Sequence, residues 1–208
     1  MELNTNFDAS GNVVNKDNRL LAGVLVIVAI AGLAFAMVSK RWLANTASRG
    51  EMGFGLLSFS ACIDGSEQFE IKAHCESRSN SEIVAEIQKE NGSATGAFPI
   101  FGYITLGAIG LAVLSLLATL PLAFRKQTDA QTMLEKLPMA PTTLALMTMF
   151  VALITGCVFV ATKPGGVGSV GVGWGFWAFG VAVITGMTGA IMISKQLGPK
   201  ASDAQWQA

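Results

Sequence analysis

The sequence is poor in charged residues. Asp, Glu, Lys and Arg make up 13% of its 208 residues, against roughly 25% in ordinary globular domains. Their charges cancel to a formal net charge of zero, and no run of like charges occurs. A basic patch that could bind nucleic acid is therefore missing, and we expect no nucleic-acid partner. Because 51% of the residues are apolar, the composition predicts that membrane lipid surrounds much of the chain.

Residue types that carry chemistry are also scarce. The single histidine, His74, has no second His or acidic cluster at metal-ligand spacing, and no Gly-x-Ser-x-Gly motif accompanies it. A glycine-rich run from Lys163 to Gly173 lacks the Gly-Lys-Ser/Thr of a phosphate-binding loop, so we interpret it as a flexible connector. No ionisable group lies inside an apolar segment, where a transporter or proton relay would need one. We therefore expect no enzyme activity, cofactor, metal site or small-molecule substrate.

What the sequence does contain is four apolar segments, each long enough to cross a bilayer as a helix. These are residues 20–38, 98–124, 142–161 and 174–193. The second carries Pro121, so we expect its span to stop before Leu120 or to be tilted. The predicted fold is a mainly α four-transmembrane-helix bundle. Its other parts are a tail at 1–19, a loop domain at 39–97, connections at 125–141 and 162–173, and a tail at 194–208.

Lysine and arginine near the segments predict their orientation, because these residues are enriched on the cytoplasmic side. Lys40 and Arg41 are exceptions, since they follow the first segment on the opposite side. We expect both termini to be cytoplasmic, in a plasma membrane or a bacterial inner membrane. The residues that support this orientation are Lys16, Arg19, Arg125, Lys126, Lys136, Lys195 and Lys200.

The loop at 39–97 is too long for a simple connection and predicts a small folded domain on the extracytoplasmic side. A β-favouring run at 54–63, the turn signal Asp64-Gly65 and alternating apolar residues at 69–75 predict an antiparallel hairpin. Cys62 and Cys75 flank this turn, and an oxidising compartment would permit a disulfide between them. Two free thiols are the alternative.

A short amphipathic helix is predicted after the hairpin. Ser79 and Glu82 have the spacing of a capping box, and the apolar residues Ile83, Val84 and Ile87 would share one face. The segment should end at Asn91-Gly92.

Tryptophan and glycine mark the expected ends and contacts of the helices. Trp42, Trp174 and Trp177 should lie near the outer membrane interface, with Trp174 and Trp177 as interfacial anchors. Small residues allow close contact between helices, either within the chain or between subunits. The glycines concerned are Gly107, Gly110, Gly175, Gly180, Gly186 and Gly189. Cys157, inside the third segment, is expected to be a small core residue.

Several local motifs in the loop at 39–97 and at the start of the fourth segment resemble those of a known family. Trp42 follows the first segment, Gly55-Leu56-Leu57 comes next, and then Cys62 and Cys75; Gly173-Trp174 opens the fourth segment. This arrangement resembles the claudin and peripheral-myelin-protein superfamily, whose motif has Trp where Leu57 stands. The resemblance implies a four-helix bundle with an outer β-sheet, and side-by-side or face-to-face association instead of catalysis.

Three functions remain open from the sequence. The first is structural assembly or adhesion, with itself or with other membrane-protein subunits, through the outer domain and the glycine-rich helices. The second is an accessory subunit of a larger respiratory, photosynthetic or transport complex. The third is a pore between subunits, lined by charges such as Glu67, Glu70 and Lys72.

Overall fold

The chain folds mainly into helices, with one small antiparallel sheet. The computed structural model describes residues 18–47, 50–63, 74–91, 96–125, 139–164 and 170–197, together with residues 130, 132, 134 and 137. Four helices of the described part are long and apolar enough to cross a membrane. They are α1 (Arg19–Val38), α3 (Ala97–Phe124), α4 (Pro141–Ala161) and α5 (Trp174–Leu197).

These helices begin and end within four residues of the segments predicted from apolar residues. The largest difference is at the end of α5, which runs four residues past position 193 and takes in Lys195. The helix α3 continues past Leu120 and through Pro121 to Phe124, and that its membrane span is tilted or stops earlier stays a prediction. Proline removes a backbone donor, but so close to the helix end the three remaining residues still complete the last turn.

The four long helices pack in a ring, in which α1 and α4 each contact both α3 and α5. Small residues let α1 and α5 approach closely. A side chain added at Gly189 would come within 3.0 Å of the carbonyl oxygen of Ala22, and one at Gly32 within 2.8 Å of the Ala182 Cβ. Gly and Ala thus allow close contact between α1 and α5. Many large apolar side chains point outward, including Leu20, Leu111, Phe150 and Ile184.

A five-stranded sheet lies at the end of the ring where α1 and α4 finish and α3 and α5 begin. Its strand order is β4-β3-β2-β1-β5, and every pairing is antiparallel. The strands are β1 (Leu43–Ala47), β2 (Gly50–Phe54), β3 (Ser58–Ile63), β4 (His74–Ser79) and β5 (Gly171–Val172). We call the sheet together with α2 (Asn80–Asn91) the sheet domain.

The hairpin prediction is confirmed in its pairing and corrected in its strands. β3 and β4 pair so that Cys62 lies opposite Cys75. The expected single strand at 54–63 is two strands, because the chain leaves β2 after Phe54 and enters β3 at Ser58. β4 continues to Ser79, beyond the expected end at Cys75. The predicted turn at Asp64-Gly65 lies outside the described residues.

The connector between α4 and α5 was expected to be flexible, and part of it is a strand. Gly171 and Val172 form β5, which pairs with Ala44 and Leu43 of β1. The Lys163 ammonium donates a hydrogen bond to the Val170 carbonyl at 2.9 Å. This connector therefore supplies an edge strand of the sheet. The sequence did not predict this strand, because strands are usually poor in glycine.

Candidate functional site: the sheet domain and its anchor on the helices

Trp42 anchors the sheet domain on the helices. Its side chain is completely buried, and its ring centroid lies 5.8 Å from that of Phe159 on α4 and 5.0 Å from that of Phe179 on α5. The indole nitrogen donates a 2.6 Å hydrogen bond to the carbonyl of Ala36. That carbonyl is in the last turn of α1, where acceptors lack partners within the helix. Trp42 therefore completes the end of α1 while its ring fills the space between α4 and α5.

The backbone around Trp42 joins three elements. The Trp42 amide donates to the carbonyl of Phe54 at the end of β2 (2.8 Å), and its carbonyl accepts from the Gly173 amide (2.8 Å). One residue earlier, the Arg41 carbonyl accepts from the Gly175 amide at the start of α5 (2.9 Å). A side chain at Gly175 would meet the Trp42 ring at 2.9 Å. Close packing of α5 against the Trp42 ring thus requires glycine at position 175.

The segment Gly55-Leu56-Leu57 turns the chain from β2 to β3 against the helices. The Leu56 side chain is buried, whereas that of Leu57 is 37% exposed. The Asn80 side chain, itself buried, donates from Nδ2 to the carbonyls of Gly55 and Leu56, both at 3.0 Å. Its backbone amide donates to the Leu57 carbonyl. Asn80 therefore holds this turn through three hydrogen bonds.

Sequence reasoning missed Asn80. Its neighbours Ser79 and Glu82 drew attention as a capping box, and that prediction is confirmed: the Ser79 amide donates to the Glu82 carboxylate (3.1 Å) and the Glu82 amide to the Ser79 hydroxyl (3.3 Å). An asparagine at the start of a helix is ordinarily explained by such local bonds. No spacing signal links it to a turn twenty-five residues earlier.

A disulfide joins Cys62 of β3 to Cys75 of β4, as the sequence predicted, with 4.1 Å between the Cα atoms. The two residues face each other directly across the strand pair. Such a cross-link restricts the unfolded chain and stabilises a loop of this size by about 3 kcal/mol in the chain-entropy model. This stabilisation is a larger share of the total stability of a small sheet than of a large domain.

The edge of the sheet domain formed by β4 and α2 is exposed and charged. The Arg78 guanidinium contacts the Glu76 carboxylate at 2.5 Å and the Glu86 carboxylate at 2.9 Å. The hydrogen bond and charge of Glu76 raise the pKa of Arg78 above its usual value. The hydrogen bond from the Ser79 amide lowers the pKa of Glu82. These side chains are solvated, so the ion pairs add little stability and instead define the charge of the surface.

The structure separates the predicted glycine contacts into two groups. Gly175, Gly186 and Gly189 face neighbouring elements of the same chain, and a side chain at Gly186 would come within 2.8 Å of the Met149 sulfur. Side chains added at Gly107, Gly110 or Gly180 would meet no atom within 4 Å. These three glycines therefore form open surfaces on α3 and α5.

Other predicted positions lie on the outer faces of the helices. Trp174 and Trp177 are 74% and 60% exposed at the start of α5. Cys157 was expected in the core, and this is wrong: its side chain is a free thiol on the exposed face of α4. α4 is apolar on all sides, so hydrophobicity does not distinguish its buried positions.

The suggested pore charges Glu67, Glu70 and Lys72 lie outside the described residues. Within the part of the chain that the structure describes, no three His, Cys, Asp or Glu side chains lie close enough together to hold a metal ion. Comparison of the sequence with protein-family models and with curated proteins gave no match.

Proposed function

We propose that the protein is a non-enzymatic integral membrane protein whose sheet domain and glycine surfaces mediate structural assembly or adhesion. The observation that carries this proposal is the anchor at Trp42. It joins β1 to the ends of α1, α4 and α5 through a buried ring and a hydrogen bond. Because the sheet is held by these contacts, it keeps a fixed orientation relative to the helices. A protein that presents a binding surface to a neighbour requires such an orientation.

The disulfide and the basic residues support an orientation. Disulfides persist in oxidising compartments, which favours an extracytoplasmic sheet domain. Arg125 follows α3 and Lys195 lies in the last turn of α5, at the ends of these helices away from the sheet, where cytoplasmic positive charge is expected. Both termini are then cytoplasmic, in a plasma membrane or a bacterial inner membrane.

Among the described residues, two exposed surfaces suit association. The first is the outward face of α3 at Gly107 and Gly110, where missing side chains would let a helix of a neighbouring subunit approach closely. The second is the edge strand β4, whose residues from His74 to Arg78 are exposed. The first suits side-by-side contact in one membrane, and the second suits contact between sheet domains.

The resemblance to the claudin and peripheral-myelin-protein superfamily belongs to the same proposal. Trp42 directly precedes β1, the turn at Gly55-Leu56-Leu57 joins β2 to β3, and the Cys62–Cys75 disulfide links β3 to β4. Their clustering in one small unit supports the resemblance more strongly than their order in the sequence does. It favours association over catalysis.

The proposal is tested by the mass of the complex in mild detergent and in lipid nanodiscs. We expect particles larger than one chain of 21.8 kDa, and Gly107→Leu should shift them towards the monomer. Gly107→Ala is the matched control, because a methyl group preserves most of the close approach. Neither change meets an atom of its own chain within 4 Å at the Cβ position, so folding should be unaffected. A wild-type chain that is always monomeric and alone would refute the proposal.

The same measurement addresses the accessory-subunit alternative. The open glycine surfaces fit a helix of a different protein as well as a second copy. Mass spectrometry of the purified particle distinguishes them: one repeated chain indicates self-assembly, and a second chain at constant stoichiometry indicates a subunit of a larger complex.

A further inference from the structure

An apolar groove runs along the outside of the helix ring between α1 and α5. Its volume is about 480 Å³, within the usual range of ligand sites. The small residues Gly32, Ala178 and Ala182 line it together with the larger Phe35, Trp174 and Trp177. A side chain at Gly32 would collide with Ala182 at 2.8 Å, so the lack of side chains there is what lets the helices meet and gives the groove its depth.

A second pocket, of about 570 Å³, adjoins the groove at its sheet-domain end. Arg41, Ala44, Val172 and Gly173 line it, and it shares Trp174 and Trp177 with the groove. Polar and apolar surfaces are mixed there, whereas the groove is almost entirely apolar. The two spaces therefore adjoin at Trp174 and Trp177, with an apolar part on one side of the indole rings and a polar part on the other.

Arg41 supplies the charge of the polar part. One guanidinium nitrogen, Nη2, is paired with the Glu51 carboxylate. Within the described residues, Nε and Nη1 have no hydrogen-bond partner. An arginine has five N–H donors in a planar fork that matches phosphate oxygens. The Arg41 side chain is 55% exposed and lines the pocket, so its guanidinium is not shielded from a bound anion.

We propose that these two adjoining spaces bind one membrane phospholipid, with an acyl chain in the groove and the phosphate at Arg41. The ligand must combine an apolar chain with a compact anion, and both must join at the depth of the indole rings, which favour the headgroup region of a membrane. A helix of a second copy would fill the groove but would not supply an anion at Arg41. The charge of Arg41 and its position next to the apolar groove therefore favour a lipid.

Native mass spectrometry of the detergent-solubilised full chain tests the proposal, with palmitoyl-oleoyl phosphatidylglycerol as the probe. We expect one retained lipid per chain. The diacylglycerol with the same acyl chains and free glycerol phosphate should both be retained far less. Equal retention of the diacylglycerol would overturn the role of Arg41, and equal binding of glycerol phosphate would overturn the role of the groove.

Two variants address the two parts of the site. Ala178→Phe fills the groove and Arg41→Gln removes the cation, and each should weaken retention about tenfold or more. The matched controls, Ala161→Phe at the exposed end of α4 and Lys40→Gln beside Arg41, should retain the lipid. If Ala178→Phe does not fold, Thr185→Leu narrows the groove from another lining position.

A last variant separates lipid binding from the Arg41–Glu51 ion pair. Glu51→Gln breaks the pair and frees a further donor of Arg41, so retention should be at least that of the wild type. Loss of lipid in Glu51→Gln equal to that in Arg41→Gln would mean that the ion pair, and not the phosphate, matters. If Ala178→Phe retains lipid but abolishes a dimer, the groove is a contact between copies and the proposal is wrong.

Discussion

Replacing Trp42 by alanine is expected to detach the sheet domain from the helices while leaving the helices in the membrane. Trp42 is fully buried and contacts three aromatic rings, those of Phe159, Phe176 and Phe179. Truncation of a buried aromatic side chain costs about 3–5 kcal/mol. The Ala36 carbonyl also loses its indole donor, which alone costs about 1–3 kcal/mol.

Two variants compare the contributions of the Trp42 ring and of its hydrogen bond. Trp42→Phe keeps a phenyl ring in the pocket but removes the donor and part of the buried volume, so at least the cost of the unpaired carbonyl, about 1–3 kcal/mol, should be lost. Trp42→Ala should lose at least the 3–5 kcal/mol of the ring, a large share of the typical stability of about 5–15 kcal/mol. Hydrogen exchange of the β1 amides in detergent micelles reports the free energy of opening of the sheet domain directly.

Trp177→Ala is the matched control, because its ring is 60% exposed and truncation leaves no cavity. In micelles without added phospholipid it should leave β1 exchange within about 0.5 kcal/mol of the wild type. The reasoning would be refuted if Trp42→Ala exchanged as slowly as the wild type, or if Trp177→Ala exchanged as fast as Trp42→Ala.

Three further predictions concern the sheet domain. Cys62→Ser should cost about 2–5 kcal/mol, enough to open the sheet and reduce association while membrane insertion persists; free-thiol labelling of the unreduced wild type should find Cys62 and Cys75 unreactive. Asn80→Ala should cost about 1–3 kcal/mol and speed hydrogen exchange at the β2–β3 turn, whereas exposed Ser81→Ala should not. The folded pKa of Glu82 is lowered from 4.5, so its stabilising effect is complete above that pH and disappears as the pH falls through the folded value. Protection of the first α2 amides, corrected for the intrinsic exchange rate at each pH, should therefore fall on acidification, and Glu82→Gln should abolish this pH dependence.

The four long helices were predictable because their signal is local. About twenty consecutive apolar residues satisfy the length of a bilayer irrespective of what the rest of the chain does. The same uniformity explains why Cys157 was placed wrongly. When every face of a helix is apolar, the sequence does not tell which face meets the neighbouring helices, and the glycines at 107, 110 and 180 could not be distinguished from those at 175, 186 and 189.

The sheet was only partly predictable because its pairings depend on distant residues. The β3–β4 pair carried local signals in Cys62 and Cys75. The strands β1 and β2 contain few alternating apolar residues, so the sequence did not predict their pairing. β5 consists of Gly171 and Val172 within a glycine-rich run, and it becomes a strand only because β1 offers free backbone groups beside it.

The roles of two buried side chains also could not be predicted from the sequence. Trp42 was expected near the membrane interface, where tryptophans commonly lie exposed to lipid. Its burial depends on Phe159 and Phe179, which come from two other helices more than a hundred residues later. Asn80 likewise acts on a turn far away in the sequence. Both roles arise from tertiary packing.

The most direct test of the account is protease protection in sealed, right-side-out vesicles. One cleavage site is inserted after Gly65, which lies between Cys62 and Cys75 in the sequence, and a second after Ala208. If the four apolar helices cross the membrane and carry the sheet domain on the extracytoplasmic side, the first site is cut and the second is protected until detergent is added. Cleavage or protection of both sites together would contradict the account.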